Sequence, residues 1–318
     1  MQDTGARETA MGMRPVLGIL LKVTSITIFV GMSTLIKSTG AVPAGQIVFY
    51  RSAFAIIPIL VFLAFRRELS TALRTSRPVS HVIRGMVGVT GMGLGFFALT
   101  VLPLPEVIMM GYAQPLLVVM LSALVVGETV RLYRWSAVIV GLLGVVVIVW
   151  PRLTLLTGDA PMAEMETLGV AAVLGSAMVS AVALILVRRL VMTERSATIV
   201  LWFSITASVI GLMTLPFGWV SLTNMQLLAL VGAGICGGLG QILMTESYRH
   251  ADISTVAPFE YTSMILGIIS GYVFFGDMPT ANMIFGGLIV VGAGIFIIWR
   301  EHRLGLERGK ARRITPPQ

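Results

Sequence analysis

Charge, cysteine and histidine are all scarce in this chain, and each shortage removes a class of protein. Asp, Glu, Lys and Arg make up 12% of the 318 residues against 56% hydrophobic, whereas a soluble domain carries about 25% charged residues. Charge this sparse cannot coat a water-soluble surface, and a mean hydropathy of +0.91 points to lipid. The single cysteine, Cys236, excludes a disulfide framework within one chain. His81 and His250 are isolated from any carboxylate spacing, so no metal is expected. Gly88, Gly91, Gly93 and Gly95 lack a preceding strand and the glycine spacing of a phosphate loop. Neither a nucleotide cofactor nor direct ATP coupling is expected. No Ser, His and acid set stands out either, which leaves a membrane-embedded enzyme as the rival reading. A channel would need rings of like polar residues.

What the chain has is long apolar runs. About 20 residues of helix cross the hydrocarbon of a bilayer, and ten such segments are expected: 16–36, 45–65, 79–100, 104–126, 133–150, 167–187, 196–216, 225–247, 253–275 and 281–299. The first is read as a retained span, because no small-residue cleavage site follows it. Segment 151–166, with its Pro, Gly, Asp and Glu, reads as a periplasmic linker between repeats 16–150 and 167–299, flanked by tails 1–15 and 300–318. Arg66, Arg67, Arg74, Arg77, Arg131, Arg134, Arg188, Arg189, Arg195 and Arg249 all follow even-numbered spans, and the tail adds six more basic residues. By the positive-inside rule both termini are then cytoplasmic. The net charge of +8 belongs to topology and anionic lipid headgroups, not to nucleic acid.

With five spans per half, the second half enters the membrane from the opposite side. The fold class is therefore an all-α membrane protein of ten transmembrane helices in two inverted five-helix repeats, a transporter architecture. A shift of 149 positions aligns Tyr112 with Tyr261, Gly127-Glu128 with Gly276-Asp277, and Trp150 with Trp299.

The ten spans, the segment Leu121-Ser122-Ala123-Leu124-Val125-Val126-Gly127-Glu128, its counterpart Gly271-Tyr272-Val273-Phe274-Phe275-Gly276-Asp277 and the glycine-rich helices after each resemble the EamA family of the drug/metabolite transporter superfamily. Asp277 stands where many members of that family have Glu. The resemblance implies a carrier of a small metabolite, with amino acids, purines, sugars and vitamins among the solutes of the family. Pro258-Phe259-Glu260-Tyr261-Thr262-Ser263 is similar to a subgroup that includes riboflavin and S-adenosylmethionine carriers. An amino-acid or metabolite exporter is equally compatible with it. Either a monomer or a homodimer could enclose the site.

Few residues qualify for a solvated site at mid-membrane. Glu260 lies inside the ninth span, where an ionisable group costs roughly 2.5–3.5 kcal/mol unless it faces a partner or a water-filled cavity. It reads as a solute contact or proton-coupling carboxylate, with a structural ion pair as the alternative. Tyr112 and Gln114 in span 4, Tyr261 in span 9, and Gln241 with Thr245 on one face of span 8 join it. Pro115 and Pro258 free backbone carbonyls beside these residues. Trp202 is a candidate for stacking on an aromatic solute. Of the basic residues within spans, Lys22 and Arg84 read equally as snorkelling to headgroups or as part of a polar site. Arg51, in Phe49-Tyr50-Arg51-Ser52, resembles an arginine of this helix in many relatives, and is expected either to pair with Glu260 or to hold an anionic part of the solute. Glu106 and Glu246 read as interfacial.

Overall fold

A backbone in lipid must close its own hydrogen bonds, which an apolar run of this length does as a helix. The computed structural model describes residues 14–125, 131–153, 161–190, 193–251 and 253–314, which hold helices and no strand. The Gly127-Glu128 pair and Asp159 lie outside the described residues. The helices are α1 (Pro15–Ser38), α2 (Ala44–Phe65), α3 (Pro78–Val101), α4 in two pieces (Leu104–Gly111 and Ala113–Leu124), α5 (Leu132–Leu153), α6 (Pro161–Leu190), α7 (Ser196–Met213), α8 (Asn224–His250), α9 and α10 (Ala281–Ile314). Eight of them are long and apolar enough to cross a membrane; within α7, Ala197–Met213 is apolar but shorter. Helix α9 is in pieces: Ile253–Val256, a 3-10 stretch Ala257–Tyr261, Thr262–Ser270, and a π-turn Gly271–Phe275.

Two boundaries differ from the sequence expectation. The linker expected at 151–166 is helical at both ends, since α5 runs to Leu153 and α6 begins at Pro161. Proline at the first helical position and Glu164 in the first turn suit a helix start. Helix α10 likewise continues to Ile314, because the Arg, Lys, Glu and Leu of the tail favour helix as well as solubility.

The packing repeats about a two-fold axis. Helix α1 packs on α8 and α6 on α3; α4 packs on α6 and α9 on α1; α2 meets α7, and α5 meets α10. These principal contacts pair up as an inverted repeat would pair them. The backbone agrees: Tyr112 breaks α4 at φ −67° and ψ −5°, and Tyr261 breaks α9 at φ −70° and ψ −9°. Pro115 explains the first break, since its ring excludes the carbonyl four residues earlier.

The ends of the bundle are tied differently. At the arginine-bearing end, Arg66 reaches Glu246 at 3.0 Å and Thr75 donates to Glu194 at 2.7 Å. At the other end, Gln46 bonds Val220 through both its amide atoms at 3.0 and 3.1 Å. Helices α5 and α10 touch backbone to backbone, because a Cβ on Gly286 would lie 2.6 Å from the Gly144 carbonyl oxygen and 3.0 Å from the Ile148 nitrogen. Gly238 lets α8 approach α2 in the same way, its Cβ position 2.6 Å from the Ala55 carbonyl. Backbone cannot yield as a side chain can. Gly286→Val should therefore destabilise the protein by about 1–3 kcal/mol, read as a lower melting temperature in detergent. Gly292→Ala, with nothing within 4 Å of the added carbon, should leave it unchanged or higher.

Candidate functional site

Breaks in α4 and α9 meet beside a cavity of about 950 Å³ lined by residues of α1, α4, α8, α9 and α10, with Arg134 of α5 and Leu184 of α6. The rings of Tyr112 and Tyr261 meet edge to face at 5.3 Å. Ser263 donates to the Glu260 carbonyl at 2.6 Å, so the Tyr112 hydroxyl, 2.5 Å from Ser263 Oγ, donates to that serine. This chain fixes one broken helix against the other. Gly294 of α10 leaves the space that the Tyr261 hydroxyl occupies; any Cβ there would collide with it.

The charge opposite Glu260 is Lys22, not Arg51. Lys22 is fully buried on α1 and forms an ion pair with Glu260, whose side chain is 43% exposed to the cavity. Tyr248 completes the site by accepting from Lys22 Nζ at 3.2 Å, with its ring centre 5.2 Å away. Lys22 does not snorkel: it is fully buried, and Glu260 of α9 and Tyr248 of α8 supply the partners that water would have. The sequence signal was present: Lys22 and Glu260 lie at similar depths from the same membrane face.

Arg84 does not snorkel either. It lies on α3 with its guanidinium 3.9 Å from the ring centre of Phe203, inside the bundle. Arg51, 8% exposed, packs against Gly237 of α8 and does not line the cavity. Gln114 lines it; Gln241 and Thr245 do not, and Thr245 Oγ1 bonds back to the Gln241 carbonyl at 2.8 Å. Trp202 is occupied elsewhere: its indole donates to the Leu73 carbonyl at 3.3 Å and its ring stacks on His81 at 5.6 Å. Glu106 is 6% exposed, because the short first piece of α4 packs among α9, α6 and α5. Among the described residues, no three His, Cys, Asp or Glu side chains come together to hold a metal.

The cavity lies toward one end of the bundle. The cavity lining runs from Ser33 and Tyr112 to Tyr248, Arg134 and Ile298, in turns near the arginine-bearing end. At the opposite end Lys37 donates to the Leu102 carbonyl at 2.7 Å and stands 3.9 Å from Asp277. Asp277 accepts in turn from the Leu104 amide at 3.1 Å. One lysine and one aspartate thus tie α1, the α3–α4 turn and the α9–α10 turn together, over Gly276, whose φ of +69° makes the turn possible.

A family model described as "EamA-like transporter family" matches residues 16–150 and again 167–300. The S-adenosylmethionine uptake transporter of Rickettsia prowazekii (strain Madrid E) is 26% identical over 258 residues, covering 81% of this chain and 84% of that protein. The pseudopaline exporter CntI of Pseudomonas aeruginosa is 29% identical over 286 residues, covering 87% and 94%. The riboflavin transporter of Rhizobium johnstonii is 27% identical over 266 residues, covering 83% of each. A solved crystal structure superposes with a TM-score of 0.63 at 23% identity, over 90% of this chain and 98% of that one, a likeness that bears on the fold alone.

The Lys22–Glu260 pair is testable by a double-mutant cycle. Lys22→Met and Glu260→Gln should each lower the melting temperature, and the double variant should lose less than their sum, with a coupling of about 0.5–3 kcal/mol. Additive losses would show that the two groups do not depend on one another.

Proposed function

The chain belongs to the EamA-like transporter family, and from that premise we infer that it is a secondary carrier whose cavity takes a small metabolite by alternating access. The observation that carries this reading is a largely apolar cavity with a few convergent polar side chains, Glu260, Tyr112, Tyr261 and Gln114 among them, at the breaks of two repeat-related helices, lying toward one end of the bundle while the other end is tied by Lys37 and Asp277. Family and relatives are transporters, which sets the membrane-enzyme reading aside. By the positive-inside rule the arginine-bearing end is cytoplasmic, with both termini on that side of a bacterial inner membrane. The conformation is then inward-open.

The cavity, about 950 Å³, is at the upper end of small-molecule sites. A solute the size of S-adenosylmethionine or riboflavin, for which two of the relatives are named, fits that space. Tyr112 and Tyr261 offer ring faces, and Gln114 offers an amide. Glu260 is the group whose state can change in the cycle. Protonating it, or pairing it with a cationic part of the solute, releases Lys22 and with it the hold of α1 on α9. Because that step needs only a proton or a solute, a gradient can drive it.

Thermal stabilisation of purified protein by S-adenosylmethionine, riboflavin, purines and amino acids tests the solute, since a ligand that binds only the folded state raises the melting point. A hit should be lost in Glu260→Gln and in Tyr112→Ala. Undiminished stabilisation in either variant would remove that residue from the site.

Asp277→Asn tests the cycle. In a Cys236→Ala background carrying Ser33→Cys, a membrane-impermeant thiol reagent should label from the cytoplasmic side in the parent. With Asp277→Asn it should label several-fold faster from the outside. Labelling from outside that does not change would show that the tie does not hold the outer side closed.

A further inference from the structure

A smaller chamber of about 390 Å³ adjoins the cavity between α3, α6 and α7, sharing Ser33, Ile108, Gln114 and Leu184 with it. Arg84 lines this chamber. Its Nε and Nη1 are buried with no acceptor, and its outer face is covered by Phe203. Arg51 stands behind it on α2, also with its Nε buried and unaccepted, near enough for the two charges to act on each other. Among the described residues neither arginine has a carboxylate partner. Glu260 is engaged by Lys22, Asp277 by Lys37, and Glu246 by Arg66 and Arg249.

Two guanidiniums in a low-dielectric interior cannot shed their charge, since arginine keeps its proton under all ordinary conditions. Buried charges are normally paired, and an unpaired one is costly. The chamber's other polar side chains do not relieve this: Ser176, which donates to the Gly91 carbonyl at 2.7 Å, Ser180 and Gln114 are all neutral and cannot balance two positive charges. The chamber's lining holds an arginine and no Asp or Glu. It also shares Ser33, Ile108, Gln114 and Leu184 as a common wall with the space where a solute would sit.

We propose that the transported solute carries a compact oxyanion, a carboxylate or a phosphate, which docks on Arg84 in this chamber with Arg51 reinforcing the field, while its remainder lies against Tyr112 and Glu260 in the main cavity. The proposal rests on the carrier reading above and narrows its solute to organic anions and zwitterions. A zwitterion uses both ends of the site, its cation at Glu260 and its anion at Arg84. The planar guanidinium fork matches either oxyanion.

Matched pairs differing in the anionic group alone provide the test: S-adenosylmethionine against its decarboxylated form, flavin mononucleotide against riboflavin, and nicotinate against nicotinamide. Binding to the full-length purified protein is read by thermal shift. In at least one pair the member that carries the carboxylate or phosphate should bind about ten-fold or more tightly than its match without it, and Arg84→Met should abolish the difference. Without ligand, Arg84→Met should melt no lower than wild type, because it removes an unpaired buried charge and keeps the stem. Three results would each overturn the proposal: no carboxylate- or phosphate-bearing member preferred at millimolar concentration, a preference that survives in Arg84→Met, or a ligand-free Arg84→Met that melts several degrees lower, as a structural arginine requires. Failures of the two readings are separable. A neutral solute bound and carried by reconstituted protein sinks the anion site and leaves the carrier; anions bound at Arg84 without flux of any solute sink the carrier and leave the site.

Discussion

Lys22 can lie fully buried in α1 only because an anion stands beside it, and Glu260 is that anion. Much of the site follows from this pair. It fixes α1 against the broken helix α9, holds the Glu260 end of the 3-10 stretch in the cavity, and sets Tyr248 of α8 over the lysine. A salt bridge in such a place adds little net stability, because desolvation offsets much of the attraction. What it adds is an arrangement that changes when either charge is neutralised.

The fold was legible in the sequence because lipid imposes it. Apolar runs of about 20 residues, arginines at alternate exits and an odd number of spans per half lead to an inverted repeat, and the paired contacts of α1 with α8 and α6 with α3 have that form. Helix ends were less legible, since a polar stretch such as that around Pro161 and Glu164 reads equally as loop or as helix start. The tyrosines aligned by the repeat, Tyr112 and Tyr261, proved to be where both helices break and where the halves touch.

The site was legible in part. Depth in a span singles out Glu260, Tyr112 and Gln114 as residues lipid would not tolerate, and all three line the cavity. Depth alone does not say which way a side chain points. Arg51 and Lys22 are alike in that respect, yet one packs on Gly237 and the other meets Glu260. Partners across helices far apart in sequence, as for Trp202 with Leu73, depend on rotation about each helix axis. A hydrophobic segment carries little of that rotation in its composition.

The outer tie has an asymmetry of another kind. Of its four anchoring groups two are main-chain, the Leu102 carbonyl and the Leu104 amide, which persist whatever side chains occupy those positions. Only Lys37 and Asp277 can be altered by substitution. In the proposed cycle, the balance between inward- and outward-open forms is then adjustable at two codons that lie away from the solute cavity. Apparent affinity on each face of the membrane scales with the population of the form open to that face. Drift at those codons could retune a descendant for uptake from a dilute exterior or for discharge into a concentrated one, with recognition of the cargo left as it was.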